Sequence, residues 1–396
     1  MKVLLVHNFY RQSGGEDEVF FRECELLRSG GHEVLEYTRH NNEIPNDGIW
    51  SKSKIVMRTF WARDTVTELR SLLRRERPDV AHFHNTFPLI SPAAYYACQQ
   101  EATPVVQSLH NSRLICPAAT CYREGSLCEE CLARVMPWPG VVHACYHDSH
   151  LQTAVAAGML AGHRALGTWK EQVDAYIVFS DFFRQKFIHA GLPHEKIFVK
   201  PHFLAADPGM KQATGNYALF IGRLAAEKGV SALLGAWRFL RHIPLWILGA
   251  GPMAGKVARF AQENRSVRLL SRLTRKECFA LLKGARFLVW PSEGYYESFG
   301  LVAIEAFACG TPVIASRIGA MTEIVEDHKT GLHFAAGDPE DLATKVNWAW
   351  RHPNEMVRMG EAARVSYLNK YTAERNHQLL MEIYGRARGA TAGKAA

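Results

Sequence analysis

The sequence predicts an α/β protein made of two successive units, each built around a parallel β-sheet. Three observations lead to this fold class: the length of the chain, the alternation of short apolar runs with helix-like segments, and an aperiodic stretch near its middle. At 396 residues the chain is longer than one ordinary hydrophobic core, so two domains are expected. Strands that alternate with helices favour a parallel sheet, because parallel neighbours require a crossover connection.

The first half opens with a strand–helix–strand pattern. A strand is predicted at residues 3–7, and a helix at 16–29 that Gly30 and Gly31 would end. Further apolar runs that are typical of strands lie at 33–37, 80–84, 105–109 and 175–179. The segment at about 111–150 is rich in Cys, Pro and Gly and interrupts this order as an insertion.

A linker is predicted at residues 201–216, where prolines and glycines interrupt all periodicity. After it, runs that are typical of strands lie at 217–221, 245–248, 267–270, 287–290 and 312–315. Helical patterns lie between them at 229–240, 275–283 and 299–309. The predicted domains are therefore 1–205 and 206–370. Residues 371–396 are expected to form a helix that returns to the first domain, followed by a disordered tail from 385 onward.

Composition and charge narrow the class of protein. Hydrophobic residues make up 47% and charged residues 22%, a globular composition, and no run reaches the roughly 18 apolar residues of a membrane span. The apolar start of the chain ends at His7 and Asn8, too early for a signal peptide, so a cytoplasmic location is expected. The nine cysteines are then expected to be reduced thiols or metal ligands. A net charge of +8 favours anionic partners, namely nucleotide sugars, anionic lipid surfaces or nucleic acid.

The strongest local signal is the segment 291–306, in which a buried strand leads through a Gly-containing loop into an apolar helix. Ser298 is a good N-cap residue, and the free N–H groups of a first helical turn bind anions. Glu297 and Glu305 are eight residues apart, about two helical turns, so both carboxylates are expected on a similar face. Taken alone, the simpler interpretation is one glutamate that complements the helix dipole and one that is solvated. The apolar residues around Glu305 favour its burial, and a buried glutamate needs a partner.

Two further loops follow predicted strands of the second half. In the first, Gly222 ends a strand, and Arg223 and Lys228 follow before a helix. Cations at the carboxyl ends of strands lie where α/β sheets bind ligands. Arginine and lysine both bind phosphate. If this loop stood alone, the simpler interpretation would be two cations on the surface. In the second loop, Gly249 and Gly251 would permit close approach of the backbone to a ligand.

Together these residues resemble the retaining glycosyltransferases of family 4, which have the GT-B architecture of two Rossmann-like domains facing each other across a cleft. The resemblance covers nearly the whole chain. It rests on the first loop with Gly14 and Gly15, the Gly-Arg…Glu-Lys-Gly segment, the Glu-x7-Glu segment, and Gly-Thr-Pro-Val-Ile-Ala at 310–315. No piece alone is specific, but their order and spacing are.

The resemblance implies a role for each matched residue. Arg223 and Lys228 would neutralise the donor diphosphate, whose charge grows as the sugar departs. Glu305 would bind the ribose hydroxyls, and Glu297 would face the donor sugar. His110, in a Leu-His-Asn step after a predicted strand, would lie near the anomeric centre; otherwise it orders the loop before the cysteine-rich segment.

The expected catalytic residues are thus His110, Glu297, Arg223 and Lys228. Backbone of 298–301 would hold the distal phosphate, 267–272 would contact the base, and the first loop would approach the diphosphate and acceptor. Beyond the charged residues, the expected donor-binding positions are Gly14, Gly15, Gly222, Gly249, Gly251, Arg272, Leu273, Ser298, Phe299, Gly300, Leu301 and Glu305.

The activity that the resemblance implies is retaining transfer of a sugar from a UDP- or GDP-sugar to a glycan, lipid-linked or small-molecule acceptor. An oxocarbenium-like state without a protein nucleophile is expected, and no catalytic metal or other cofactor is implied. By analogy the acceptor would be a bacterial surface polysaccharide or its lipid-linked precursor. The alternative is a non-catalytic nucleotide-sugar-binding homologue of the same fold. A nucleic-acid partner is not expected, because no recognition motif of the usual modules is present.

Five cysteines lie close together in the insertion, and residues 128–131 have the spacing of metal ligands. Four of them are candidate ligands of a structural zinc: Cys116, Cys128, Cys131 and Cys145. His143 or His147 could replace one of them. Ordinary reduced thiols are an equal alternative.

Residues 50–77 mix Trp50, Phe60 and Trp61 with lysines and arginines. Such a stretch could lie on an anionic lipid surface at the inner face of a membrane. A solvated helix with a few packed aromatic residues is the interpretation that we favour.

Overall fold

The computed structural model describes residues 1–11, 14–44, 49–213, 215–271, 273–293 and 297–395. The chain forms two compact units. The first contains Met1–Cys121, Cys128–Lys200 and Asn376–Ala396, and the second contains Tyr122–Leu127 and Pro201–Arg375. Among the described residues, no helix combines the length and the apolar character needed to cross a bilayer.

The strands of the first 200 residues are β1 (Lys2–Phe9), β2 (Glu33–His40), β3 (Val80–Asn85), β4 (Val105–Ser108), β5 (Tyr122–Arg123), β6 (Ser126–Leu127), β7 (Ala175–Val178) and β8 (Ile197–Val199). Six of them form the sheet of the first unit in the order β2-β1-β3-β4-β7-β8, and every neighbouring pair is parallel. β5 and β6 form a separate antiparallel hairpin. The residues of β3, β4 and β7 are all buried, as expected for a parallel sheet covered on both faces.

The helices of this part of the chain are α1 (Gly15–Ser29), α2 (Ile49–Phe60), α3 (Arg63–Glu76), α4 (Ala93–Gln100), α5 (Trp138–Val142), α6 (His150–Ala165), α7 (Thr168–Glu171) and α8 (Asp181–His189). α1 follows Gly14, whose N–H donates to Oδ2 of Asp17 at 2.9 Å, and it ends at Gly30 as the sequence predicts. A Cβ at Gly30 would lie 2.5 Å from Nε2 of His377. Glycine at this C-cap therefore lets the C-terminal part of the chain pack against α1.

The strands of the second unit's sheet are β9 (Ala218–Ile221), β10 (Leu245–Leu248), β11 (Val267–Leu270), β12 (Phe287–Trp290), β13 (Val313–Ser316) and β14 (Gly331–Phe334). They lie in the order β11-β10-β9-β12-β13-β14, again all parallel. The helices that follow in the chain are α9 (Val230–Ala236), α10 (Ala254–Glu263), α11 (Arg275–Gly284), α12 (Leu301–Ala308), α13 (Met321–Ile324), α14 (Pro339–Arg351), α15 (Pro353–Lys370) and α16 (Ala373–Ala395). The hydrophobic core of this unit includes Trp237, which is fully buried. Its Nε1 donates to the carbonyl of Ile243 at 2.9 Å.

The strand orders fix where each sheet can bind a ligand. In the second unit the order reverses between β9 and β12, and in the first unit between β1 and β3. In open α/β sheets, ligands bind beyond the carboxyl ends of the strands at such a switch point. The residues that follow β1, β3, β9 and β12 are therefore the candidates for ligand binding.

α16 belongs to the first unit from Asn376 onward. The hydroxyl of Tyr384 lies 2.8 Å from Nδ1 of His82 in β3, and Arg388 lies 3.5 Å from Asp79. The sequence predicted a disordered tail from residue 385, but the helix continues to Ala395 and Ala387 is buried against the unit.

Candidate functional site

The central contact of the second unit joins Lys228 to Glu297. Nζ of Lys228 donates to Oε1 of Glu297 at 2.6 Å, and their side chains are 21% and 15% exposed. Lys228 follows β9 and Glu297 follows β12, so the pair lies at the switch point of the sheet. Two predicted charged residues that are 69 positions apart are thus in direct contact.

The second carboxylate oxygen of Glu297 is also held. Oε2 accepts hydrogen bonds from Nε1 of Trp290 at 3.0 Å and from the hydroxyl of Ser292 at 2.8 Å. Burial opposes ionisation of Glu297, but Lys228 and these donors hold the pKa of the carboxyl below its usual range. Trp290 and Ser292 were not identified from the sequence, because nothing in their spacing links them to Glu297.

Backbone contacts bring the two loops together. Gly229 has φ +69, and a Cβ there would lie 1.7 Å from the carbonyl oxygen of Pro291. The N–H of Glu293 donates to the carbonyl of Glu227 at 3.0 Å. Gly229 is therefore required both by its left-handed conformation and by the close approach of the two loops.

Arg223 is the more exposed of the two predicted cations. Its side chain is 63% exposed, and its guanidinium bonds the carboxylate of Glu227 one turn along the loop. An exposed guanidinium that remains held in a loop can bind a phosphate in two-point fashion.

The predicted glycines Gly249 and Gly251 lie against the backbone of the loop that follows β9. A Cβ at Gly249 would lie 1.9 Å from the carbonyl oxygen of Gly222, and one at Gly251, where φ is +153, would lie 2.5 Å from that of Leu224. The N–H of Leu224 donates to the carbonyl of Ala250 at 2.8 Å. These glycines thus allow the loops after β9 and β10 to pair through their backbones.

The start of α12 differs from the prediction. The helix begins at Leu301 with Gly300 as its N-cap in the left-handed region at φ +102, so the prediction that Ser298 caps the helix is wrong. A Cβ at Gly300 would meet the Trp290 ring at 2.0 Å, and only glycine allows the chain to turn here. Glu297 consequently lies in the loop and not on the helix. Phe299 is buried against His202 and Tyr371.

Glu305 lies on α12 as predicted, with its side chain 21% exposed. Oε1 lies 3.7 Å from a guanidinium nitrogen of Arg275, the first residue of α11. Leu273 is half-buried in the loop after β11, and Arg272 lies outside the described residues. The carboxylate therefore remains partly accessible beside a cation that was not predicted.

In the first unit, Gly14 and Gly15 lie before and at the start of α1, and both are exposed. A Cβ at either glycine would have no atom within 4 Å. The first turn of α1 carries Glu16, Asp17 and Glu18. This negative charge is unfavourable for a diphosphate at the first turn itself, and the approach of the loop with Gly14 and Gly15 to the diphosphate stays a prediction.

A polar cluster around Glu16 lies beyond the ends of β1, β3 and β4. Oε2 of Glu16 accepts from Nδ2 of Asn111 at 3.2 Å, and Oε1 lies 3.5 Å from Nδ2 of Asn85. Burial and the neighbouring Asp17 raise the pKa of Glu16 to about 7. Arg113 lies over the rings of Phe87 and Tyr146, at 4.3 and 4.7 Å from their centroids. Sequence reasoning did not identify this cluster, because its members come from four separate segments of the chain.

His110, which follows β4, is half-buried in the first unit. Its Nε2 lies 3.0 Å from Nδ1 of His84, and the two rings are inclined by only 17°. The ring also packs against Phe179, with centroids 5.0 Å apart. Aromatic and imidazole groups of the first unit are thus among its partners.

The structure does not support the predicted zinc site. Among the described residues, the one group of three metal-ligating side chains with ligand atoms within 4.8 Å of one another is Glu23, His82 and His84. In the insertion, the thiols of Cys116 and Cys121 hydrogen-bond to each other. Burial raises the pKa of the Cys131 thiol to about 11, and the neighbouring thiols of Cys116, Cys128 and Cys145 add to this shift. The four predicted ligands, all present as free cysteines, are Cys116, Cys128, Cys131 and Cys145. Nε2 of His143, the predicted substitute, lies 3.9 Å from a carboxylate oxygen of Glu130.

The basic and aromatic segment 50–77 forms α2 and α3. Arg58 pairs with Asp64 at 2.7 Å, and Arg70 and Arg74 both pair with Glu101. Trp61 is 39% exposed and stacks with His163. Much of the positive charge is thus neutralised within the unit, as in a solvated helix.

Comparison with known families covers most of the chain. Residues 207–366 match the family model of the glycosyl transferases group 1, and residues 13–205 match that of glycosyltransferase family 4. A D-rhamnosyltransferase, WbpZ, of Pseudomonas aeruginosa is 32% identical over 163 residues, 40% of this chain and 42% of the relative. A glycogen synthase of Mycobacterium tuberculosis is 37% identical over 153 residues, 37% of this chain and 36% of the relative. The matched stretches thus span about two fifths of the length of these relatives.

Solved structures of similar fold cover nearly the whole chain. A glycosyltransferase from Rickettsia africae superposes with a TM-score of 0.68 at 16% identity, covering 98% of both chains. Sucrose-phosphate synthase from Thermosynechococcus elongatus gives 0.68 at 17% identity, covering 98% of this chain and 99% of the other. Anabaena HepE in complex with UDP gives 0.66 at 17% identity, covering 96% and 99%. These likenesses show the GT-B fold, with its two parallel-sheet α/β domains.

Proposed function

Since the chain belongs to the family 4 glycosyltransferases, we propose that it transfers a sugar from a nucleotide-sugar donor to a hydroxyl group of an acceptor. The observation that carries this proposal is the Lys228–Glu297 pair at the switch point of the second sheet. It combines a cation and a hydrogen-bonding carboxylate at the edge of the sheet where nucleotide ligands bind.

Two cations of the second unit are suited to bind the diphosphate of the donor. The exposed guanidinium of Arg223 and the ammonium of Lys228 follow the same strand, so both can approach one diphosphate group. Negative charge on the diphosphate increases as the bond to the sugar breaks. Cations held in place before the reaction stabilise that state more than the ground state, and this lowers the barrier.

Two carboxylates of the second unit are suited to bind the hydroxyl groups of the donor. Glu297, ionised and fixed by Trp290 and Ser292, is suited to accept hydrogen bonds from the sugar. Glu305 on α12, partly accessible beside Arg275, is suited to accept them from the ribose. The backbone of residues 298–301 and the loop after β11 remain proposed phosphate and base contacts.

We propose UDP or GDP as the nucleotide and retention of the anomeric configuration, with no protein nucleophile. The family relationship supports retention, and the fold is shared with a protein bound to UDP. We propose His110 as the catalytic residue of the first unit. The acceptor is proposed to be a glycan or a lipid-linked saccharide, because similar proteins include a D-rhamnosyltransferase and an O-antigen chain mannosyltransferase.

The cluster around Glu16 is the proposed acceptor-binding part of the first unit. Asn111 and Arg113 follow β4 directly after His110, and Glu16 carries a carboxyl with a pKa near 7. Such a group can exchange a proton with a hydroxyl near neutral pH. The acidic first turn of α1 is compatible with hydroxyl groups and unfavourable for phosphate.

We also propose a cytoplasmic location and contact with anionic lipid through the end of α2. Met57 and Trp61, at the end of α2, are 71% and 39% exposed, whereas the neighbouring Arg58 is paired with Asp64. Flotation with anionic vesicles and with neutral vesicles tests this contact. Absence of binding to anionic vesicles would remove it.

The donor site is tested with a panel of UDP-, GDP-, ADP- and dTDP-sugars, measuring binding by the wild type, Arg223→Ala and Glu305→Gln. Arg358→Ala is the matched control, because Arg358 is 74% exposed and also pairs with a glutamate one turn away. One nucleotide sugar should bind to the wild type and the control and lose at least tenfold in affinity in both site variants. Equal binding by all four proteins would contradict the site, and binding without any transfer or hydrolysis would favour the non-catalytic homologue.

A further inference from the structure

A cavity of about 330 Å³ lies within the first unit. Its lining comes from Leu114, from residues 133–135, from parts of the segment 164–170 and from residues 190–192. The last two segments precede β7 and β8 and lie toward the amino ends of these strands, whereas His110 follows the carboxyl end of β4. Cavities that hold small ligands measure roughly 300–1,000 Å³. The cavity is therefore large enough for a small molecule and lies apart from the sheet edge that carries His110.

The walls of this cavity are mainly apolar. Leu114, Val135, Trp169 and Leu192 supply its large apolar side chains, and alanines and glycines supply most of the remaining lining. Trp169 is 6% exposed, and its buried Nε1–H has no acceptor among the described residues. Because the transfer of apolar surface from water to such walls is favourable, the cavity favours a ligand with an apolar body.

Arg164 brings a positive charge to this apolar cavity. Its guanidinium donates to the carbonyls of Leu114 at 2.7 Å and of Val135 at 3.3 Å, and also to that of Arg134. A guanidinium has five N–H donors, so at least two remain for a ligand. The carbonyls do not neutralise the charge, and burial lowers the pKa of the guanidinium. No carboxylate in the part of the chain that the structure describes offsets this shift.

The other charged side chains that line the cavity are also cationic. Lys170 is exposed, and the guanidinium of Arg134 lies 5.4 Å from the ring centroid of Trp138. One carboxylate lies nearby: a Cβ at Gly167 would be 2.8 Å from Oε1 of Glu171, although Glu171 does not line the cavity. The charge of the walls therefore complements an anion, and Glu171 opposes one.

We propose that this cavity binds an amphipathic anion, that is, an apolar group that ends in a carboxylate or a phosphate. The apolar walls hold the body of the ligand. The remaining N–H donors of Arg164 bind the anionic oxygens, since the guanidinium fork matches both carboxylate and phosphate. Such a ligand gives the half-buried guanidinium the opposite charge that the described chain does not supply. This binding site does not depend on the sugar transfer proposed above.

The experiment is NMR of the full-length protein with ¹⁵N-labelled tryptophan, in which the Trp169 indole signal is assigned from the spectrum of Trp169→Phe. The probes are octanoate and octyl phosphate; octanol lacks the charge, and acetate lacks the chain. Octanoate or octyl phosphate should shift the Trp169 signal in a saturable manner, and the one that binds more tightly identifies the anionic group. Octanol and acetate should each bind at least about tenfold more weakly.

Four variants locate the binding. Ala165→Trp places a large side chain at an exposed position of the lining and should abolish binding without altering the bonds of Arg164. Lys170→Gln should weaken binding by about threefold, and Glu171→Gln, which removes the opposing charge, should strengthen it by a similar factor. Arg358→Gln is the matched control, because Arg358 is an exposed cation of the second unit, and it should retain the wild-type affinity.

Arg164→Gln should lose at least about tenfold in affinity for the anion. If that variant does not fold, Ala165→Trp and Lys170→Gln still decide. Equal binding of octanol and octanoate would overturn the proposal, as would undiminished binding of both anions in Ala165→Trp. A Trp169 signal that does not move with either anion would also contradict it.

Discussion

At the scale of single residues, two of the predicted charged groups of the second unit are in direct contact with each other. The sequence identified Lys228 and Glu297 as separate ligands for a diphosphate and a sugar. The structure joins them at 2.6 Å, because β9 and β12 are neighbours in the sheet. That adjacency is a property of strand order, which spacing along the chain does not reveal.

Lys228→Met and Glu297→Gln should each lower the thermal unfolding midpoint, since each removes the attraction between the two charges. Because both side chains retain some exposure, the coupling free energy should be modest, about 1–2 kcal/mol. The double variant should therefore lose less than the sum of the two. Differential scanning fluorimetry without ligand measures all four proteins, and additive losses would contradict the contact.

Glu16 should give the stability of the protein a distinctive dependence on pH. Its folded-state pKa of about 7 is raised above the ordinary value of 4.5, so its favourable contribution is present below about pH 4.5 and is lost as pH rises through 7. Glu16→Gln, which stays neutral, should be more stable than the wild type at pH 8 by roughly 1–2 kcal/mol and similar to it near pH 5. Thermal unfolding at both pH values measures this, and a difference independent of pH would contradict the raised pKa.

At the scale of elements, the strands were the most predictable part of the fold. Buried parallel strands are continuous apolar runs, and β10, β11 and β12 lie where the sequence predicted them. β8 and β14 were missed, since each is a short strand at the edge of its sheet. Ser298 was taken as a helix cap because its residue type is common there, whereas contact with Trp290 decides that Gly300 starts α12.

Gly229 should be the most sensitive glycine of the donor loops. Gly229→Ala places a Cβ 1.7 Å from the carbonyl oxygen of Pro291 in a left-handed backbone, so the loops after β9 and β12 must separate. We expect a loss of several degrees in the unfolding midpoint and at least tenfold in donor affinity. Gly255→Ala in α10 is the control: with open space around it, alanine should leave affinity unchanged and raise stability by about 0.5–1 kcal/mol. Equal behaviour of the two variants would contradict the packing.

At the scale of the whole molecule, the C-terminal helix is a structural part of the first unit. Asn376 and Tyr384 contribute to the buried network around Lys200 and His82, more than 170 residues from their partners in sequence. The sequence could suggest that the helix returns to this unit, but not which buried groups it would satisfy, because those partners carry no common pattern.

Deletion of residues 376–396 should destabilise the first unit selectively, since it leaves the buried ammonium and imidazole without these partners. Limited proteolysis should then cleave first within residues 1–200, while the second unit remains intact and keeps its affinity for the nucleotide. Peptide mapping with a parallel binding assay measures both. Simultaneous loss of the two units would show that the helix stabilises the molecule as a whole.

The sugar transfer that we propose for the Lys228–Glu297 site can be followed by NMR, which observes the sugar released from the nucleotide sugar that binds. The wild type should release sugar whose anomeric configuration is first retained, and Lys228→Met should be slower by at least about 100-fold while Arg358→Ala is unchanged. Release with inversion, or equal rates for Lys228→Met and the wild type, would contradict the account.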